Sequence, residues 1–221
     1  MGIQVKICGV NSVPAADAAM RAGADYAGLV FFHRSPRFVK SDAATSLAQR
    51  LRGRARIVAL VADAGDEEIA RAIAAAQPDL LQLHGSETAE RVAAVRTRFG
   101  LPVIKSMAIA EAADLSVAAE YEKVADMLLF DAKAPVNATR PGGHGAAFDW
   151  QLLRGRRFAR PWLLAGGLGV ENVGRAIRAA DAPGVDVSSG VETAPGVKSP
   201  EMIAEFVAHA RAAALAPEHQ P

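Results

Sequence analysis

Four short stretches of this chain carry groups suited to chemistry. Val5-Lys6-Ile7-Cys8-Gly9 ends an apolar run on the only cysteine, whose thiolate is a base. Leu128-Leu129-Phe130-Asp131 ends another on a carboxyl group able to give or take a proton. Ala165-Gly166-Gly167-Leu168-Gly169 and Asp186-Val187-Ser188-Ser189-Gly190 combine glycines with small hydroxyl residues. Such segments let the main chain approach an anion closely and offer it backbone N–H groups. A thiol and a carboxyl on either side of a phosphate would perform acid/base chemistry on a phosphorylated small molecule with no cofactor.

Each stretch also has a plain reading. A lone cysteine in an apolar strand is ordinarily an inert buried residue. Asp131 could cap a helix or pair with Lys133, and a Gly-Gly pair could simply make a tight turn. Position decides between these readings, so the elements that hold the residues matter.

Apolar runs recur at 3–8, 26–31, 56–61, 80–83, 102–105, 127–131, 162–165 and 184–187. Most are continuously apolar rather than alternating, as in parallel strands covered on both faces. Segments with apolar residues every three or four positions follow at 14–22, 41–51, 67–76, 88–99, 170–179 and 200–213, with weaker patterns at 111–121 and 148–153. Gly23, Gly100 and Pro183-Gly184 stand where helices should stop. Eight βα units predict a single (β/α)₈ TIM barrel over 1–211, with 212–221 as a frayed tail. A doubly wound open sheet is the structural rival.

A barrel works at the C-terminal ends of its strands and often binds phosphate after strands seven and eight. Gly166, Gly167, Asp186, Ser188, Ser189 and Gly190 fall at those two junctions. Around a closed ring the order six, seven, eight, one sets Asp131 on one side of the phosphate and Cys8 on the other. Strand parity turns Lys6 to the same face as Cys8, so its ammonium is expected to lower the thiol pKa.

The composition, 51% hydrophobic and 22% charged with net charge +1, gives no electrostatic case for nucleic acid. One cysteine rules out an internal disulfide and fits a reducing compartment. The start of the chain lacks the pattern of a signal peptide and no apolar run is long enough to span a bilayer, so a cytoplasmic enzyme without membrane attachment is expected. Oligomeric state is not readable. Gly167-Leu168-Gly169 with the later Asp186 imitates a dinucleotide fingerprint, but Asn172 replaces its third glycine and the segment lies late in the chain. His33, His84, His144, His209 and His219 lack the paired spacing of metal ligands, so no metal is expected.

Lys6-Ile7-Cys8-Gly9, Ser35-Pro36-Arg37-Phe38-Val39, Gln82-Leu83-His84-Gly85-Ser86-Glu87, Leu129-Phe130-Asp131, Ala165-Gly166-Gly167-Leu168 with Glu171-Asn172-Val173, and Asp186-Val187-Ser188-Ser189-Gly190-Val191-Glu192 occur in one order along the chain. Together they resemble the phosphoribosylanthranilate isomerase family of tryptophan biosynthesis over roughly 3–210. The resemblance implies an Amadori rearrangement with Asp131 as the acid that opens the furanose ring and Cys8 as the base that takes the C2 proton. It also implies that Arg37 holds the anthranilate carboxylate, a task suited to a guanidinium fork. Alone, Arg37 would read as a solvated loop residue beside Arg34. His84 ends the fourth strand, where substrate contact and a structural hydrogen bond both remain open. Val170 and Ser199 depart from the family pattern, at a usual proline and a usual aspartate. The segment 136–145 around His144 reads as a loop closing over substrate. Alternatives are the related histidine-pathway isomerase, which would want a carboxylate in place of Cys8, and indole-glycerol-phosphate synthase, which would want a lysine and glutamate pair. A sugar-phosphate binding protein without turnover would need no combination of Cys8 and Asp131.

Overall fold

The computed structural model describes residues 2–133 and 147–215. Eight parallel strands close into a barrel in sequence order: β1 Gln4–Cys8, β2 Tyr26–Val30, β3 Arg56–Val61, β4 Leu80–Leu83, β5 Val103–Ile109, β6 Met127–Ala132, β7 Trp162–Leu164 and β8 Gly184–Val187. Outside it lie α1 Val13–Ala22, α2 Ser41–Leu51, α3 Asp66–Ala76, α4 Ala89–Phe99, α5 Ala118–Val124, α6 Val173–Ala180 and α7 Pro200–Leu215. This is the (β/α)₈ barrel expected from the pattern rather than an open sheet. The expected loop at 136–145, His144 and His219 lie outside the described residues.

Alternation along each strand divides the side chains. Val5, Ile7, Ala27 and Leu29 point outward into the main core under the helices, while Tyr26, Val58, Leu80, Ile104, Met127, Leu129 and Leu163 fill the barrel interior. Above that apolar floor the interior turns polar, with Lys6, Gln82, Ser106 and Asp186 all buried. At the opposite end, Asp25, Asp79 and Asp126 accept the backbone N–H groups of Val5, Ile57 and Val103, tying strand entries together in pairs. That end is thus closed by side-chain to backbone hydrogen bonds.

Several element boundaries differ from the sequence expectation. β5 runs past Lys105 to Ile109, because Lys105 lies outside the barrel against Glu87 at 2.7 Å and leaves the strand free to continue along β6. α6 starts at Val173 rather than 170. Residues 169–172 instead make a turn, in which Asn172 accepts from Gly169 N at 2.9 Å and donates to Gly167 O at 2.8 Å. The segment expected as a helix at 148–153 is a 3₁₀ turn, Trp150–Leu153, and that at 111–121 is a 3₁₀ turn, Ala112–Val117, leading into α5. α1 and α4 stop at Gly23 and Gly100, both left-handed, as expected. α6 ends earlier, at a left-handed Asp181. Ser199 accepts from Met202 N at 3.2 Å and so supplies the cap at the start of α7. An unexpected hairpin follows β8, with β9 Glu192–Ala194 and β10 Val197–Lys198.

Candidate active site

Lys6, Cys8, His84, Asp131, Asp186 and Ser188 belong to the interior set of alternating positions, so their side chains gather at one barrel end. The two glycine-rich loops meet there. Gly169 and Gly190 form a parallel bridge, and a Cβ on Gly190 would overlap the Leu168 carbonyl. The cleft along these loops measures about 620 Å³ and includes Gly167, Gly169, Ser189 and Gly190 in its walls. Cys8 and Asp131 are not among its lining residues.

The loops nevertheless touch both strand ends. Gly166, at φ +84°, packs so closely on Ala132 that a Cβ would come within 2.6 Å of its nitrogen. On the other side the Ser188 hydroxyl donates to the Cys8 carbonyl at 3.1 Å. Asp131 and Cys8 therefore flank the loop pair in the order expected of a closed ring.

The thiol side is ionic and buried. Lys6 has no exposed surface and its Nζ lies 2.8 Å from Asp186 Oδ1. Burial opposes the Lys6 ammonium, yet Asp186 and then Cys8 hold its pKa above the ordinary value. Gly28 lies beside Cys8 in the β1–β2 register, and a Cβ there would sit 3.2 Å from Sγ and 3.3 Å from Lys6 Nζ. That glycine makes room for the thiol and ammonium together. The expectation of a lowered thiol pKa is corrected: burial pushes the Cys8 pKa up, and Lys6 offsets this only in part.

Arg37 is 4% exposed, not solvated. Its stem crosses Gly9, where a Cβ would meet Arg37 Cδ at 2.6 Å, and Gly9 takes φ +76° to leave that space. Its Nε and Nη2 donate to the two Glu192 carboxylate oxygens at 2.7 and 2.8 Å. Glu192 also accepts from Lys198 Nζ at 2.7 Å, and Lys198 donates onward to the Ser188 carbonyl at 2.8 Å. Burial disfavours the Glu192 charge, but Arg37 and Lys198 leave its pKa below the ordinary carboxyl value. Burial lowers the pKa of Lys198, against the pull of Glu192.

The carboxyl side differs. Asp131 Oδ2 lies 3.3 Å from His84 Nε2, and its Oδ1 accepts from Ala132 N at 2.8 Å. The other His84 nitrogen lies 2.8 Å from Nε2 of Gln82, two residues earlier on the same face of β4. Glu87 fixes the loop after His84 by accepting from Gly85 N, Asp63 N and Lys105. Burial acts to raise the Glu87 pKa, but Lys105 and then the Asp63 N–H hold it below the ordinary carboxyl value.

Gln82 and Glu192 stand in the motifs without an evident task there, and Lys198 stands outside them. For Gln82 the signal was available, since a polar residue two before His84 on an interior strand must find a partner. Glu192 and Lys198 depended on the hairpin, which the short segment 192–198 did not announce. Among the described residues, no group of three or more His, Cys, Asp and Glu is placed to hold a metal ion, and no helix is long and apolar enough to cross a membrane.

Comparison with known proteins agrees over nearly the full length. The family model described as N-(5'phosphoribosyl)anthranilate (PRA) isomerase matches residues 5–209. An N-(5'-phosphoribosyl)anthranilate isomerase of Rhodopseudomonas palustris strain BisA53 is 52% identical over 212 residues, covering 96% of this chain and 97% of that one. The crystal structure of phosphoribosyl anthranilate isomerase from Thermotoga maritima superposes with TM-score 0.85 at 33% identity, covering 95% of this chain and 99% of the other. A phosphoribosyl anthranilate isomerase in complex with reduced 1-(o-carboxyphenylamino)-1-deoxyribulose 5-phosphate superposes with TM-score 0.81 at 30% identity, over 95% and 99% of the two chains.

Proposed function

The chain belongs to the N-(5'-phosphoribosyl)anthranilate isomerase family, and on that premise we propose how its own side chains divide the reaction. The enzyme acts in tryptophan biosynthesis, converting N-(5'-phosphoribosyl)anthranilate to 1-(2-carboxyphenylamino)-1-deoxyribulose 5-phosphate by an Amadori rearrangement. Asp131 gives its proton to the ring oxygen as the bond from C1 to that oxygen breaks, and the amine lone pair forms an iminium ion. The Cys8 thiolate takes the proton from C2, and the released electron pair forms the C1–C2 double bond of an enolamine. Tautomerisation moves the enol proton to C1 and yields the ketone.

The observation that carries this assignment is the pair of contacts that flank the glycine-rich loops, Gly166 on Ala132 and Ser188 on the Cys8 carbonyl. A phosphate held by Gly166, Gly167, Ser188, Ser189 and Gly190 would fix the sugar between a carboxyl and a thiol. Asp186 assists from within the barrel by holding Lys6 against Cys8. His84 faces the sugar beside Asp131, and Arg37 meets the anthranilate carboxylate with the part of its guanidinium not turned to Glu192. The substrate is a phosphorylated small molecule, and the reading needs neither nucleic acid nor membrane. Its setting is a reducing cytoplasm, since the base must remain a free thiol.

A fluorescence assay of substrate consumption by wild type and Cys8→Ser tests the reading. The variant should lose several orders of magnitude in turnover while stability changes by about 1 kcal/mol. Retention of more than about a tenth of the activity removes Cys8 from the chemistry.

A further inference from the structure

We propose that His84 is a positioning residue that reprotonates Asp131, with the Gln82 amide supporting both of its charge states. The idea rests on the reading of Asp131 as the acid and adds the source of its proton. A carboxyl group that gives a proton to the ring oxygen is left as a carboxylate, and each turnover needs that proton restored.

Three observations point to His84. Its Nε2 is 3.3 Å from Asp131 Oδ2, and both side chains are nearly covered, at 11% and 14% exposure. Gln82 is fully buried, with its Nε2 at 2.8 Å from His84 Nδ1. The Gln82 oxygen is buried without a hydrogen-bond partner among the described residues. Where the amide nitrogen donates, Nδ1 accepts, an arrangement that suits a neutral ring with its proton on Nε2, toward Asp131. An imidazolium carries a proton on Nδ1 as well and needs an acceptor there. The unpartnered Gln82 oxygen becomes that acceptor when the amide rotates by half a turn. Gln82 can therefore serve either charge state without any movement of β4.

The proton balance closes when the proton that Cys8 takes from C2 is released to solvent and Asp131 is recharged from solvent through His84. His84 takes a proton from solvent and becomes imidazolium. Its Nε2–H bond breaks as an O–H bond forms on Asp131, leaving neutral imidazole and a carboxylic acid. That O–H bond then breaks as the substrate ring oxygen is protonated. Among the described residues, charged groups reach this region from several neighbouring elements. Asp131 approaches from β6, and Asp63 from the loop after β3 contacts the adjacent Gly85 and Ser86. From β5, Lys105 is already paired with Glu87. Across the interior, Lys6 of β1 is paired with Asp186 of β8.

The test is the pH profile of kcat for wild type, His84→Gln and Gln82→Glu, with Asp131→Asn as background. His84→Gln keeps an N–H toward Asp131 but does not titrate. It should lower kcat by about 10- to 100-fold, more than it raises KM, and displace the alkaline limb of the profile. Gln82→Glu places a carboxylate at Nδ1, favours imidazolium, and should move that limb to higher pH while retaining fold and substrate binding. In the Asp131→Asn background, His84→Gln should cost nothing further. A rise in KM with unchanged kcat and unchanged limb, or additive losses in the double variant, would overturn the relay. If Asp131→Asn alone retains kcat, the reading of Asp131 fails instead, so the two failures are distinguishable.

Discussion

The two sides of the site solve opposite electrostatic problems. Around Cys8 the charged neighbours are nearly covered and held in ion pairs: Lys6 with Asp186, and Lys198 with Glu192, which also holds Arg37. Among the described residues, the partners of Asp131 are a backbone N–H, an imidazole and, behind it, an amide. A base that must be anionic while buried needs fixed cations, since burial alone keeps it protonated. An acid that must alternate between charged and neutral forms is poorly served by a fixed cation, which would hold it as carboxylate. On the proposed reading the neighbours differ because Cys8 has to be kept ionised and Asp131 has to be recharged.

Arg37→Ala tests the ionic side with the largest effect expected of a residue that takes no proton. Losing a charge-assisted contact to the carboxylate should cost about 2 to 4 kcal/mol of transition-state binding, roughly 30- to 1000-fold in kcat/KM. Affinity for a ribulose phosphate lacking the aryl group should barely change. Equal losses for both ligands would assign Arg37 to holding the loop, a role its two bonds to Glu192 already support.

Lys6→Met asks whether the cation beside the thiol is needed. Burial already sets the Cys8 pKa above the ordinary thiol value. Since the base acts deprotonated, the acid limb of kcat/KM should still be rising above neutral pH in wild type. Removing Lys6 should shift that limb further toward alkali, lowering activity at neutral pH by about 10- to 1000-fold for a shift of 1 to 3 units. It also leaves Asp186 buried and unpaired, which should cost about 3 to 5 kcal/mol in denaturant unfolding. An unmoved limb would show that the reacting thiolate draws its stability from elsewhere.

The same contrast explains what the sequence made legible. Cys8, Asp131 and the two glycine-rich loops follow from strand ends, and strand ends follow from apolar runs and parity, which are local properties. Lys6 was correctly turned toward Cys8 by that parity. Its net effect on the thiol was misjudged because burial is a property of the closed barrel rather than of the strand. The Arg37–Glu192 pair joins residues 155 positions apart through a hairpin of two short strands, so no local pattern announces it. The late start of α6 has a related cause. Apolar spacing at 170–172 suits a helix, but Asn172 hydrogen-bonds the loop in front of it.

The smallest expected effect belongs to Glu192→Gln, and it separates positioning from charge on the ionic side. Glu192 joins Arg37 to Lys198, and through Lys198 to the Ser188 carbonyl in the phosphate loop. A glutamine keeps the shape and one acceptor but loses the second acceptor and the negative charge between two buried cations. If Glu192 serves to aim Arg37, losing about 0.5 to 1.5 kcal/mol of hydrogen bonding should raise KM by roughly 2- to 12-fold and leave kcat nearly intact. The pH dependence of stability gives an independent check. Because the folded Glu192 pKa lies below its unfolded value, its contribution is present above the ordinary carboxyl range and is lost as pH falls through the lower, folded value. Wild type should therefore lose more stability than Glu192→Gln when unfolding is followed from neutral pH into that acid range. Parallel acid losses, or a fall in kcat with unchanged KM, would place Glu192 in the electrostatics of Cys8 and Lys198 rather than in the aim of Arg37.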